Sequence, residues 1–363
     1  MGEMSAVCLM ILMIGAAVCL AACPCSDPAL CDPIQHSRDS EVFVFHVQGN
    51  NWKHYDWSKV TTVGLFAPYD PELMCFAHSK GARFVLEGDV PVKEVVDPKQ
   101  RSAWIAGKVK LAKTQYMDGI NLDIEESVLP HTPEYYALTD LVNETTETFH
   151  REIPGSQVTF DVAYNPNCVA MRCYNYSAIA ELSDFLFVMS YDEPPPMWNK
   201  CIAGANAAFN QTITGYQQFI KMGIDPKKLV MGVPWYGYDY VCSNLTEGNQ
   251  CELGKCLFQW APYSDAAVGN QVAYMKIMNQ VNSSLTGRLW DDVQKAALFN
   301  YKDTEGKIHQ VWYDDPESIT LKATYVKKLG LRGIGMWHGD LLDYSDDPVA
   351  QEQTKAMWKA LTP

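Results

Sequence analysis

Positive charge is in short supply in this chain: 29 Lys and Arg stand against 43 Asp and Glu, for a formal net charge of −14 and a pI near 5.0. With no basic patch to replace phosphate counterions, a nucleic-acid partner is excluded, and a neutral or cationic substrate fits better. No low-complexity tract or heptad run is present, and the one repeating pattern is an alternation of strand-like and helix-like stretches. The eight histidines are scattered, with neither HExxH nor a clustered ligand pattern, so no metal and no cofactor are implied. Acid–base chemistry then falls to carboxyl groups.

The amino-terminal MGEMSA also lacks Lys and Arg, a departure from the usual secretory leader. The apolar run from Val7 to Ala22, followed by Pro24, Asp27 and Pro28, nevertheless reads as a signal peptide over residues 1–22. Its removal takes away Cys8 and Cys19 and leaves Cys23, Cys25, Cys31, Cys75, Cys168, Cys173, Cys201, Cys242, Cys251 and Cys256. An even set suits an oxidising compartment, where disulfides are favoured over zinc for close pairs such as Cys168 with Cys173 and Cys251 with Cys256. Connectivity stays open. Sequons at Asn143, Asn175, Asn210, Asn244 and Asn282 point to the same route through the endoplasmic reticulum and to glycosylation at those residues. No stable membrane association is expected once the signal is gone.

Eight β-rich runs punctuate the chain: residues 41–47, 60–68, 82–88, 119–125, 157–164, 184–192, 228–237 and 331–339. Longer segments of helical composition separate them, with Pro98, Pro133 and Pro316 suited to first-turn positions. Eight alternating strands close a parallel (β/α)8 TIM barrel, an α/β fold whose usual length range includes 363 residues with insertions. Residues 23–363 are therefore expected to form a single domain. The gap between strands seven and eight is too long for one helix, so residues from about 238 to 313, with the hairpin-like YKDTEGKIHQVWY, are expected to form an insertion over the barrel mouth.

The run DGINLDIE at residues 118–125 alternates polar and apolar residues with period two. Gly119, Asn121, Asp123 and Glu125 share one face, and Ile120, Leu122 and Ile124 share the other. An exposed antiparallel edge strand could show the same pattern, but a strand inside a parallel barrel has no solvated face. Acids aligned there belong to a cleft at the carboxyl ends of the strands. Tyr164, Tyr191, Asp192, Tyr236 and Trp337 fall at the ends of other strands. Two carboxyls suggest glycoside hydrolysis. On one strand Asp123 and Glu125 stand about 6.7 Å apart, so both approach a sugar from the same side. Neither can attack from the opposite face. The arrangement suits a nucleophile supplied by the substrate, such as the carbonyl oxygen of an N-acetyl group, with Glu125 kept protonated by burial and its negative neighbour.

DGINLDIE resembles the DxxDxDxE signature of glycoside hydrolase family 18, the chitinase family. MSYD (189–192), GVPWYG (232–237), VWYDDPESI (311–319) and GIGMWHG (333–339) resemble that family's later segments. The resemblance implies that Glu125 is the general acid and then base, that Asp123 positions the acetamido group, and that Tyr191 hydrogen-bonds its carbonyl. It places Asp192 in the sugar subsite and Trp337 beneath the sugar ring, with Asn121, Tyr164 and Tyr236 also lining the substrate site. The activity implied is retaining, substrate-assisted cleavage of the β-1,4 bond of a di-N-acetylchitobiose unit at the reducing end of free asparagine-linked-type oligosaccharides, by a monomeric lysosomal enzyme. An extracellular location, an endo-acting chitinase and an inactive amino-sugar-binding lectin are the alternatives. Where many family members carry a third acid this chain has Asn121, which is expected to donate to Asp123 and keep it ionised at lower pH. Strand three reads ARFVLEG and lacks the family's Ser-x-Gly-Gly pattern.

Overall fold

The computed structural model describes residues 23–36, 38, 40–254 and 269–362; the expected signal peptide and Cys256 lie outside them. Seven parallel strands come first: β1 (Glu41–His46), β2 (Thr62–Leu65), β3 (Arg83–Gly88), β4 (Gly119–Leu122), β5 (Gln157–Ala163), β6 (Phe185–Met189) and β7 (Leu229–Pro234). The chain then builds β8 (Tyr236–Val241), β9 (Asn244–Leu245), β10 (Cys251–Glu252), β11 (Asn270–Ala273), β12 (Leu289–Asp291), β13 (Ala296–Lys302) and β14 (Ile308–Tyr313). Finally β15 (Gly333–Trp337) pairs with both β7 and β1 and closes an eight-stranded parallel barrel. The barrel and its insertion between the seventh and eighth barrel strands match the sequence reading.

Helices cover the outside of this barrel: α1 (Pro71–Ser79), α2 (Val92–Val95), α3 (Pro98–Thr114), α4 (Pro133–Glu152), α5 (Tyr176–Leu182), α6 (Phe209–Lys221), α8 (Pro316–Leu329) and α9 (Pro348–Ala360), with α7 (Tyr274–Val281) inside the insertion. Their starts share one chemistry. Asp70, Asp97, Asp315 and Asp347 each precede a proline at the first turn and accept a hydrogen bond from the second residue of the helix, and Thr132 caps α4 ahead of Pro133. The cap oxygen satisfies an orphan N–H, and proline fixes φ where no intrahelical donor is needed. α8 stops at Gly330, whose φ of 66° a side chain would disfavour.

Period-two alternation divides the apolar residues between two layers. Val42 and Val44 face the helices, whereas Phe43 and Phe45 point into the barrel with Phe185, Phe187 and Val230. Phe187 packs edge-on against Phe45 at 4.8 Å and tilted against Phe43 at 5.5 Å. Gly232 and Gly335 make room for it: a Cβ on Gly335 would lie 2.6 Å from the Phe187 ring and 2.5 Å from the Phe43 carbonyl. Large and small residues interleave, so the barrel is a filled core.

Two strand boundaries differ from the sequence expectation. β4 ends at Leu122, before the two acids. Asp123 N–H still reaches the Gly88 carbonyl at 3.0 Å, but beyond it the Tyr174 hydroxyl replaces the ladder by reaching the carbonyls of Ile124 and Glu126. Residues 228–237 split into two strands, β7 and the start of β8, so the inserted sheet begins at Tyr236 rather than near residue 238. The alternation Tyr236, Tyr238, Tyr240 carries the chain into an antiparallel sheet of order β11-β8-β14-β13-β12. Those three tyrosines, Leu298 and Trp312 join the same apolar cluster as Phe43, Phe45 and Phe187. The inserted sheet therefore caps the barrel's interior.

Disulfides join Cys23 to Cys31, Cys25 to Cys75, Cys168 to Cys173 and Cys242 to Cys251. The sequence-adjacent pair Cys168 and Cys173 forms, whereas Cys251 takes Cys242 across the β8–β10 turn. The sulfurs of Cys23, Cys25 and Cys31 lie within 4.8 Å of one another, but all three are oxidised and hold no thiolate for a metal. Cys25–Cys75 spans 50 residues and ties the amino-terminal segment to α1. Replacing both cysteines with serine is expected to cost about 3–4 kcal/mol, by the loss of a long closed loop in the unfolded chain, and urea denaturation measures it.

At the amino-terminal end of β4, Asp118 is fully buried and accepts from Ile34 N, His78 Nε2 and Phe84 N at 2.7–2.8 Å. The first acid of the DGINLDIE run is thus a structural bracket at the end of the barrel opposite the cleft. Among the expected glycosylation sites Asn210, Asn244 and Asn282 are exposed. Asn143 and Asn175 are half-buried, Asn175 serving as the cap of α5. No helix of the described residues is long and apolar enough to cross a membrane.

Candidate active site

The carboxyl end of β4 presents Asp123 and Glu125 to the cleft. Glu125 is partly exposed, its side chain keeping 28% of its surface, and it forms an ion pair with Arg172 from the loop after β5. A cation therefore stands where the sequence reading expects apolar groups and one negative neighbour. Asp123 is deeper, and its Oδ1 is buried with no protein donor. Burial, followed by the negative charges of Glu125 and Glu87, pushes its carboxyl up to about 8, against a smaller opposing effect from Arg172.

Asn121 departs from its expected place. It is fully buried, and its amide donates to Asp161 Oδ1 at 2.7 Å and to Thr159 Oγ1 at 2.9 Å rather than to Asp123. β4 and β5 run in register with Asn121 opposite Thr159 and Leu122 opposite Phe160, so the next inward pair is Asp123 with Asp161. A third carboxyl thus enters from the neighbouring strand. Asp161 is held well above the usual carboxylate range, chiefly by burial and then by Asp123. Asn121 consequently does not keep Asp123 ionised in acid: desolvation, with the charges of Glu125 and Glu87, outweighs the one charge missing from β4.

Tyr191 follows β6 and is buried; burial, then the charges of Asp161 and Asp123, keep its hydroxyl protonated as a donor. Asp192 is exposed at the rim with a left-handed φ of 53°, and Tyr236 and Tyr238 each donate to its Oδ1 at 2.8 Å. Tyr236 itself is buried and reaches the cleft through that hydrogen bond. Tyr164 is half-buried beside Ala163, Val169 and Ala170, its hydroxyl pushed up to about 12 by burial and then by Glu193. Trp337, half-buried at the end of β15, packs against Phe45 at 5.2 Å and perpendicular to Phe66 at 5.6 Å. One side of the indole is thereby fixed as a platform. Beside it Asp340 accepts hydrogen bonds from Tyr55, His46 and the backbone of Val47 and Gln48, joining the β1 and β15 ends.

Arg172 and Glu193, which the sequence reading passed over, and Asp161, which it placed at a strand end without a role, stand in this site or behind it. Glu193 is buried, accepts from Thr212 at 2.9 Å, and has an Oε2 with no donor. Burial, partly offset by the Thr212 hydrogen bond, pushes its carboxyl up to about 8. Asp161 alone had a local signal, as an acid on an inward position of a barrel strand. The site has two adjacent carboxyls, a neutral phenol, an aromatic floor and a rim acid held by tyrosines. Such a set can deliver a proton to, and stabilise charge on, a sugar bound over Trp337.

A family model described as glycosyl hydrolases family 18 matches residues 92–341. The di-N-acetylchitobiase of Mus musculus is 61% identical over 355 residues, 98% of this chain and 97% of that protein. The di-N-acetylchitobiase of Homo sapiens is 62% identical over 341 residues, 94% of this chain and 88% of that protein. A solved GH18 chitinase from Cycas revoluta in complex with (GlcNAc)3 superimposes with a TM-score of 0.71 at 19% identity, over 88% of this chain and 99% of that one. The acid pair just past the end of β4, the closed barrel and these similarities agree, and the chain is a glycoside hydrolase that belongs to glycosyl hydrolases family 18.

Proposed function

We propose that this hydrolase cleaves the β-1,4 bond of the di-N-acetylchitobiose unit at the reducing end of free oligosaccharides released from asparagine-linked glycoproteins, with retention and with the substrate's own acetamido group as nucleophile. The carrying observation is that Asp123 and Glu125 leave β4 together while Asp161 and Asp192, the acids of the next two strand ends, are engaged. Asp161 is buried beneath Asn121, and Asp192 is held by two tyrosines. No opposed carboxyl is then needed as the nucleophile.

In the first step protonated Glu125 gives its proton to the glycosidic oxygen and the bond from C1 to that oxygen breaks. The acetamido carbonyl oxygen of the sugar losing its leaving group bonds to C1, forming an oxazolinium ion. The proton that Asp123 holds in the free enzyme passes to Glu125 when substrate binds, so that Asp123 as carboxylate balances the charge on the acetamido N–H while Tyr191 donates to the carbonyl oxygen. In the second step water bonds to C1, its proton passes to the Glu125 carboxylate, and the ring C1–O bond of the oxazolinium breaks. Both displacements are on C1, so its configuration is retained.

The names of the mammalian relatives support chitobiose as the substrate. Oxidised cysteines, exposed sequons and carboxyls that keep their protons support a secreted, glycosylated monomer acting in the lysosome, with residues 1–22 as its signal and 23–363 as one domain.

Chitin oligomers labelled at the reducing end, and a chitobiose dimer stripped of its acetyl groups, test the reading. Release of the labelled monosaccharide, formation of the other product first as its β-anomer, and at least about 10³-fold slower cleavage of the deacetylated dimer are expected. Comparable cleavage of that dimer would refute substrate assistance. Internal cuts in long oligomers would make the protein an endo-chitinase, and binding without turnover a lectin.

A further inference from the structure

Glu125 is gripped twice by one short segment that lies 47 residues away on the side-chain contact. The Arg172 guanidinium pairs with its carboxylate, and the Tyr174 hydroxyl lies 2.9 Å from the Ile124 carbonyl and 2.6 Å from that of Glu126, the residues on either side of Glu125. The segment is built for rigidity. Cys168 and Cys173 close it covalently, and Val128 exchanges backbone hydrogen bonds with Met171 and Cys173 at 2.9 and 3.0 Å. Ser127 adds a bond to the Ala170 carbonyl at 3.0 Å, and the Tyr176 hydroxyl holds the Arg172 carbonyl at 2.5 Å. Cys168, Ala170 and Met171 all sit at positive φ, between 51° and 58°, which non-glycine residues adopt at a cost and keep only when their surroundings enforce it. That cost is spent on a loop whose inward product is one guanidinium, its side chain only 10% exposed, on the proposed proton donor.

We propose that Arg172 is a positioning residue for proton transfer: it holds the Glu125 carboxylate in its working direction, yields it to the arriving glycosidic oxygen, and is itself fixed by the Cys168–Cys173 clasp and Tyr174. The proposal rests on the hydrolase mechanism above. Its charge works on a crowd of acids. Asp123 at the end of β4, Asp161 on β5 and Tyr191 after β6 all feel Glu125, and Glu87 and Asp89 at the end of β3 act on Asp123, while Tyr164 and Tyr176 lie in the field of Arg172 itself. A guanidinium among these groups favours their deprotonated forms. In the second half-reaction the carboxylate it favours is the form that accepts the proton from water.

The test compares Arg172→Met, Arg172→Lys, Tyr174→Phe and the double change Cys168→Ser with Cys173→Ser, using chitobiose as substrate, full pH profiles and a melting curve for each. With Arg172→Met, kcat is expected to fall about 10–100-fold, as misaimed catalytic groups do, with KM little changed. The alkaline limb of its profile is expected to move up by about one pH unit when the cation is lost. Lysine should restore the position of that limb and part of kcat, while Tyr174→Phe and the cysteine pair should lower kcat without moving it. A folded Arg172→Met enzyme with both kcat and the alkaline limb of the parent would overturn the proposal. Should that variant not fold, unchanged kcat in both Tyr174→Phe and the cysteine pair would overturn it instead. Full activity in Glu125→Gln would fault the hydrolase mechanism rather than the clamp.

Discussion

Glu125→Gln is expected to lower kcat on chitobiose by about 10²–10⁴-fold while leaving KM within a few-fold, because the amide keeps the side chain's shape but has no proton to give. The loss should depend on the leaving group. A substrate with an aryl leaving group, whose departure needs little protonation, should recover much of the first step and then stall at hydrolysis of the oxazolinium, for which the same carboxylate is the base. A second consequence follows from Arg172, whose buried guanidinium would face an amide instead of a charge. The variant should lose about 1–3 kcal/mol of stability and still fold. Steady-state kinetics with both substrates and a denaturant titration read all three effects. Equal losses in kcat/KM on both substrates would place Glu125 outside proton donation.

Stability should fall steadily as the pH is raised from about 4 to about 8, which is the opposite of the usual behaviour of a protein held by ionised carboxylates. In the unfolded chain Asp123, Asp161 and Glu193 lose their protons near pH 4. In the folded chain burial keeps the protons of Asp123 and Glu193 until about 8 and holds that of Asp161 well above the ordinary range. Between those limits the native state binds more protons, so its advantage is complete below about pH 4 and is lost as pH rises. Burial opposes a charge on His78, but its bond to Asp118 outweighs this and raises it, adding a smaller loss in the same direction. Asp340 acts oppositely: hydrogen bonds from His338 and His46 overcome burial and hold it far below the usual range, so its contribution is lost only in strong acid. The melting temperature should therefore peak in mild acid. Glu193→Gln isolates one group outside the catalytic set, since glutamine can still accept from Thr212. It should leave melting at pH 4.5 nearly unchanged and raise it at pH 8; a curve parallel to the parent's would refute this account.

The barrel was legible from residues 41 to 339 because its signals are local. Strand residues such as Glu41–His46 combine β-branched and aromatic side chains, and Asp–Pro or Thr–Pro pairs mark the helix starts. Strand ends were less legible. DGINLDIE keeps its alternation to Glu125, yet the ladder stops at Leu122, because it depends on whether a neighbouring strand continues alongside. Likewise YGYDYV continues the pattern of β7 but pairs in another sheet.

Acidic character at the end of β4, and the family to which it belongs, could be read from eight consecutive residues, since period-two geometry assigns their faces without reference to anything else. The electrostatic state of those acids could not. Barrel closure and register brought Asp161 beside Asp123, a disulfide-closed loop brought Arg172 to Glu125, and the inserted sheet buried the tyrosines over the rim. Proton affinity depends on burial and on charges a few ångströms away through space, and those neighbours come from strands and loops that only the closed tertiary structure brings together.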